Sequence, residues 1–288
     1  MDLTPLPQHE GQTPSTALYA STSDVYRWSS KLSQIQHRFC NVTNQASTTV
    51  SLLNELGNID RALLSWCHDV PMDCRPGEEI VSSGNTGQLL VSLHLDYFNM
   101  VRAVHWASLT CAHAKRSVVA SHPNPRIRGS EAICLSAARS FIKTLNELSS
   151  RCLPNATFAT NFADRDQRHN TSRKQQLQHS LVRRVHGLEI SFVITDSIHI
   201  SPQTDYLMGA ISVLYRNIFK YPHRMSAKAD VEHLRAGKIH FERHASSADI
   251  VTTLDNLFQA MLTSAERVTS KDPTPEGVSS TITVAEPT

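Results

Sequence analysis

Leu89-Leu90-Val91-Ser92-Leu93-His94-Leu95-Asp96-Tyr97-Phe98-Asn99-Met100-Val101-Arg102-Ala103-Val104 is the stretch that decides the fold class. Leu90, Leu93, Tyr97, Val101 and Val104 recur at helical spacing, which predicts one long helix from about Gln88 to Thr110 with that stripe turned to a core. The same periodicity extends outward on both sides. Leu52, Leu56, Ile59, Leu63 and Trp66 form the stripe of a preceding helix, which Pro71 and Arg75-Pro76-Gly77 bring to a stop. Val25, Trp28, Leu32, Ile35 and Phe39 form an earlier one of about four turns, with Ser23 as its expected N-cap. That last stripe also has heptad spacing, but about two heptads are too few for a coiled coil, so it reads as core.

Downstream, Pro123-Asn124-Pro125 breaks the chain, and Cys134, Ala137, Ala138, Phe141, Leu145 and Leu148 define a helix from about Ser130 to Ser150. Its small residues permit close helix approach. From Arg151 to about Gln178 the composition turns polar, which reads as a loop. Val182, Val185, Leu188 and Phe192 suggest a further helix. Leu207 to Ile218, stopped by Pro222, then Val231 to Phe241, and Ile250 to Met261, supply three more, the last with Ser246 and Asp249 as a possible capping box. The prediction is an all-α fold: a single irregular domain of about eight helices over 23–268, flanked by a disordered leader (1–22) and a disordered tail (269–288).

Composition agrees with that class. Ten glycines and 6% aromatic residues in 288 are too few for a sandwich, a barrel or a glycine-rich nucleotide fold. With 28 basic against 26 acidic side chains, the net charge of +2 gives no field able to hold a polyanion by itself. The first residues have neither a basic nor an apolar signal region, and no window has the apolar length of a membrane span. A soluble intracellular protein is expected, so Asn41-Val42-Thr43, Asn155-Ala156-Thr157 and Asn170-Thr171-Ser172 should not be glycosylated. Six scattered cysteines (40, 67, 74, 111, 134 and 152) should be reduced and mostly buried.

The candidate chemistry is thin. His240 and His244 share a helix face at the spacing of two metal ligands, but no HExxH glutamate or third ligand accompanies them. Cys67 and Cys74 have a spacing found in binuclear zinc clusters, yet the chain contains no CxxC to complete one. Asp69 and Asp164-Arg165-Asp166 do not make the acidic run of a diphosphate-binding helical enzyme. Arg165 to Arg184 gathers basic residues that could touch phosphate or serve nuclear import, though a solvated loop explains them as well. No residue is assigned as catalytic or metal-ligating, no cofactor is expected in this chain, and no cofactor-binding residue can be named.

Three phrases in fixed order carry a resemblance. Ile59-Asp60-Arg61-Ala62-Leu63-Leu64-Ser65-Trp66 runs on to Val70-Pro71; Leu93-His94-Leu95-Asp96-Tyr97 is followed by His105 and Leu109; then comes Cys134-Leu135-Ser136-Ala137-Ala138-Arg139. Together they resemble the C-terminal part of the middle homology region, the helical regulatory domain of fungal binuclear zinc cluster transcription factors. The match is clearest from Leu53 to Leu148 and extends weakly to about Met261. Where that family has Arg-Pro-Phe, this chain has Trp106-Ala107-Ser108, so the long helix should run on without a proline stop. The family's zinc cluster has no counterpart here.

The resemblance implies a transcription regulator in a fungal nucleus, controlling a pathway or metabolite gene cluster. Its partners would be proteins of the transcription machinery or a DNA-binding subunit, with DNA reached only indirectly or through a module outside this chain, and no membrane involved. An effector or a corepressor would dock in a groove between helices. The alternatives are a helical interaction scaffold or truncated relic without DNA binding, and a helical enzyme whose site converges only in space.

Overall fold

Ser21, not Ser23, opens the first helix. Its hydroxyl accepts from the Asp24 N–H while the Asp24 carboxylate accepts from the Ser21 N–H, a reciprocal capping box that starts the helix two residues earlier than expected. A computed structural model describes residues 20–151 and 202–270, except 47, 83, 115 and 245–247. Among them stand nine α-helices: α1 Thr22–Gln45, α2 Thr49–Asp69, α3 Gly84–Ala114, α4 Arg116–Ala120, α5 Pro125–Arg128, α6 Ser130–Arg151, α7 Pro202–Lys220, α8 Met225–His244 and α9 Ala248–Ser270. No strand occurs among the described residues, and the fold is all-α. Residues 1–19 of the expected leader, the polar loop beyond Arg151, the helix around Val182–Phe192, the Ser246 cap and the tail beyond Ser270 lie outside the described residues.

The α1 stripe is core, as the shortness of its heptad run predicted: Val25, Trp28, Leu32 and Phe39 are buried and Ile35 packs against them. Each fully buried side chain of this size contributes roughly 1.5–3 kcal/mol, whereas an exposed ion pair such as Arg38–Glu55 contributes about 0–1. Packing therefore places α1. Its apolar face closes on α2 and α3.

In α3 the one-sided reading fails. The predicted stripe is buried, but so are Val91, Leu95, Phe98, Met100, Ala103, Trp106 and Ala107 on its other faces, along with polar Ser92, His94, Asn99, His105 and Ser108. The helix is enclosed on all sides: α1 and α2 cover part of it and α6 packs along the rest. It also starts earlier and ends later than expected, at Gly84 and Ala114, with no proline to halt it after His105. Glycine is required at position 87, where any Cβ would overlap the Ser82 carbonyl.

Pro123-Asn124-Pro125 both breaks and begins structure. Asn124 accepts the Arg126 N–H at 2.9 Å and Pro125 takes the first helical position, so the breaker caps the one-turn helix α5. This turn lays Arg126 and Ile127 against α2. Beyond α6, helices α7 and α8 pack on it and on each other, and α9 covers α7 and α8 from outside. Gly237 allows that approach, since a Cβ there would sit 2.9 Å from Ile211 Cδ1.

Candidate functional site

The three phrases that carried the resemblance converge in the interior as polar and aromatic interlocks. Asp60 of α2 is 1% exposed, and Arg126 donates to it twice, Nε to Oδ2 at 2.7 Å and Nη2 to Oδ1 at 3.0 Å. His105 of α3, fully buried, places Nε2 3.1 Å from Asp60 Oδ1 and Nδ1 3.0 Å from Ser130 Oγ. Helices α2, α3, α5 and α6 thus meet at one carboxylate. Burial works to raise its pKa, but the hydrogen bonds from His105 and Arg126 outweigh this and hold it below the ordinary carboxylate range.

Ser130, His105 and Asp60 lie in the order of a nucleophile chain, yet the chemistry of one is absent. Ser130 is buried and donates its hydroxyl proton to the Ile127 carbonyl at 2.7 Å. Arg126 already neutralises the carboxylate that would stabilise an imidazolium. The arrangement holds helices together and presents no reacting atom to a substrate.

The other motif residues act alike. Trp66 donates Nε1–H to the Trp28 carbonyl at 2.9 Å and stacks on Tyr97 with centroids 5.4 Å apart, joining α1, α2 and α3. His94 Nε2 lies 3.0 Å from the Cys74 carbonyl, which can only accept, so this nitrogen carries the proton. Burial pushes His94 down to about 4, leaving the ring neutral. Arg139 of α6 makes a two-pronged pair with Asp230 of α8, at 2.6 and 2.8 Å, and Asn217 of α7 donates to the same carboxylate at 3.0 Å.

A different environment surrounds Arg102 on α3. It is 6% exposed, its Nη2 donates to Asn99 Oδ1 at 2.6 Å, and its Nε has no acceptor. The guanidinium lies against α7 at Gly209, where a Cβ would come within 2.6 Å of Cζ. No carboxylate pairs with it among the described residues. Arg216 of α7 stands over the Trp106 ring, 5.3 Å from its centroid.

His240 is buried because it sits on the α8 face that packs inward; the side chain of His244 lies outside what the structure describes. Cys40, Cys74, Cys111 and Cys134 are buried free thiols and Cys67 is half-buried. Burial pushes Cys40 up to about 11 and Cys134 up to about 12, so both stay protonated and unreactive. Among the described residues no three His, Cys, Asp or Glu side chains gather as a metal site, and no helix is long and apolar enough to cross a membrane. Asp69 faces solvent beside Lys31, while Asp164, Asp166 and the basic cluster from Arg165 to Arg184 lie outside the described residues.

Sequence reasoning found Trp66, His94, Tyr97, His105 and Arg139 as motif members but gave none of them a partner. It missed Arg126, Asn217 and Asp230 altogether. Only their polarity within apolar segments could have singled out Asn217 and Asp230.

No protein-family model matches the chain, and no solved structure matches it. Two curated relatives do. An ABC-transporter-regulating transcription factor of Aspergillus oryzae is 30% identical over 137 residues, covering 44% of this chain and 15% of that protein. A protein of the same description from Aspergillus fumigatus is 29% identical over 137 residues, with the same coverage. The chain therefore spans a small part of the length of these relatives, about 15% where they match. Both relatives are named as transcription factors and neither as an enzyme. Over the matched residues, the all-α chain described above is similar to fungal transcription factors.

Proposed function

We propose that this chain serves as a helical regulatory portion of a fungal transcription regulator, acting in the nucleus through protein partners and not by catalysis. The similarity to two Aspergillus transcription factors carries the reading. Two physical observations support it. The polar residues of the motifs are committed to joining helices, as Asp60, His105 and Arg139 illustrate, and none is aimed at a space where a substrate could react. A net charge of +2 offers little unaided grip on DNA, which favours a contribution through another DNA-binding module or subunit. The relatives' description makes transporter genes the first class of target to examine; a pathway gene cluster is the second.

The test is to fuse the 288-residue chain to an unrelated DNA-binding domain and measure a reporter in a fungal host. A change in transcription that depends on the chain supports regulation, and Asp60→Ala, which undoes the interior node, should abolish it. A fusion that is stable, nuclear and transcriptionally silent would remove the regulatory reading and leave the interaction scaffold.

A further inference from the structure

We propose that the corner between α7 and α8, from Phe219 to Lys228, docks an acidic segment of a partner protein in which carboxylates are interspersed with apolar side chains. The inference deepens the regulatory reading by naming the chemistry of one partner, and it rests on that reading only for the partner's role in transcription.

Charge sets the class of partner. From Tyr206 to Ala229 the chain has no acidic residue, while Arg216, Lys220, Arg224 and Lys228 follow one another at intervals of four. Arg216 lies over the Trp106 ring, and Lys220 is paired with Glu131 of α6 at 2.6 Å. Arg224 and Lys228 are exposed and have no carboxylate partner among the described residues; Glu232, one turn on from Lys228, is taken by Arg235. The Arg224 guanidinium stacks 3.5 Å from the centre of the Tyr221 ring. Stacking occupies its face and leaves its in-plane donors for a carboxylate. The Lys220–Glu131 pair beside it is a carboxylate already accommodated at this corner.

Apolar exposure sets the rest. Met225 opens α8 at 99% exposed, and Phe219 stands near the end of α7 at 41%, leaning on Tyr215 with ring centroids 4.6 Å apart. One exposed apolar residue is ordinary, but here two flank a half-buried Tyr221 within seven residues. Their backbone is fixed. The Tyr221 N–H donates to the Asn217 carbonyl and the Ala227 N–H to the Arg224 carbonyl, each at 2.9 Å, while Ile218 and Ala227 are wholly buried. Side chains presented on an ordered turn lose less entropy on docking. Aromatic rings, Met and Arg are also the residue types enriched where proteins meet. Nucleic acid fits less well, because two unpaired cations give only weak, salt-sensitive phosphate binding. A second copy offers Asp73 and Glu78 near exposed Met72 and Val81, but that contact runs head to tail and propagates from copy to copy unless it closes a ring. A separate acidic chain is the simpler occupant.

The experiment uses the purified 288-residue chain and fluorescence anisotropy with a labelled synthetic peptide of interspersed Asp and Leu, beside counterparts in which Asn replaces Asp or Ser replaces Leu. The Asp-Leu peptide should bind saturably, and each counterpart should bind about tenfold more weakly. Arg224→Glu and Lys228→Glu should each weaken binding roughly tenfold, and Met225→Ser roughly threefold. All three positions are exposed, so the thermal midpoint should stay at the parent's value; if one charge reversal does not fold, the other serves as the test. No binding by the parent, equal binding of the Asn-Leu peptide, or undiminished binding in both charge reversals overturns the proposal. So does a DNA or RNA oligonucleotide that binds more tightly and displaces the peptide, which would make the corner a nucleic-acid surface. A parent dimer in sedimentation that Met225→Ser dissociates overturns it too, with a second copy as the occupant. The reporter fusion described above separates the two readings. A silent fusion with intact peptide binding removes the regulatory role and leaves the dock, whereas an active fusion without peptide binding removes the dock alone.

Discussion

Asp60 and Asp230 are two buried carboxylates held by two-pronged arginines, yet they organise different halves of the molecule. Asp60 gathers α2, α3, α5 and α6 and adds a fully buried histidine to its arginine. Asp230 joins α6, α7 and α8 and adds a neutral asparagine. Arg126 and Arg139 are both about a third exposed, so each arginine could recover some hydration if its carboxylate were removed. His105 could not. The difference locates the less replaceable joint in the first half, within the phrases that carry the family resemblance.

Five substitutions test this contrast. Asp60→Ala should cost about 3–5 kcal/mol of unfolding free energy, because it leaves Arg126 and His105 facing an empty site. Asp230→Ala should cost about 3 kcal/mol, the lower end of that range, as Arg139 turns toward water and Asn217 loses only a neutral hydrogen bond. Urea denaturation of the two variants beside the parent measures both. Equal losses would erase the distinction between the halves.

Acid should test the first node directly. Asp60 is held below its ordinary value, so in the window between the folded and unfolded values the unfolded state binds more protons, and stability rises with pH. Its contribution is complete above the unfolded value of about 3.9 and is lost as pH falls through the lower folded value. Urea midpoints measured from about pH 5 downward should therefore fall in the parent and fall less steeply in Asp60→Asn. A parallel decline in both would place the acid sensitivity elsewhere.

Smaller effects belong to the helix contacts around the second node. Gly237→Ala should cost about 0–2 kcal/mol, since overpacking against Ile211 and Leu207 is partly offset by the better helix propensity of alanine. Thermal unfolding checks it, and a clear gain would mean that α7 and α8 have room to separate. Glu131→Gln, which breaks a half-exposed pair with Lys220, should change stability by less than about 1 kcal/mol. A larger loss, measured by the same denaturation, would show the second half relying on its surface.

Much of the fold was legible because burial on one side leaves a periodic trace. The α1 and α2 stripes, the α6 series from Cys134 to Leu145 and the Leu207–Ile218 face all appear as sequence periods and all pack inward. In α3 the polar residues within the apolar run disguised complete enclosure: Ser92, Asn99 and Ser108 read as a solvent face and are buried. The two nodes were not legible at all. His105 lies 45 residues from Asp60 and Arg139 lies 91 from Asp230, and no local spacing encodes a pairing that forms only when distant helices meet. Position 124 was read as a break because prolines flank it, whereas its side chain also begins the turn that delivers Arg126.

His94 and His105 stand about three turns apart along the same line of α3, one tied to the Cys74 carbonyl and the other to Asp60 and Ser130. Mechanically, α3 is an axle with two pins driven through one side. A spin about its own axis would pull both pins at once, and a slide along it would shear both in the same direction. Beyond the second pin, toward Ala114, buried Trp106, Ala107, Ser108 and Cys111 continue the hold by packing.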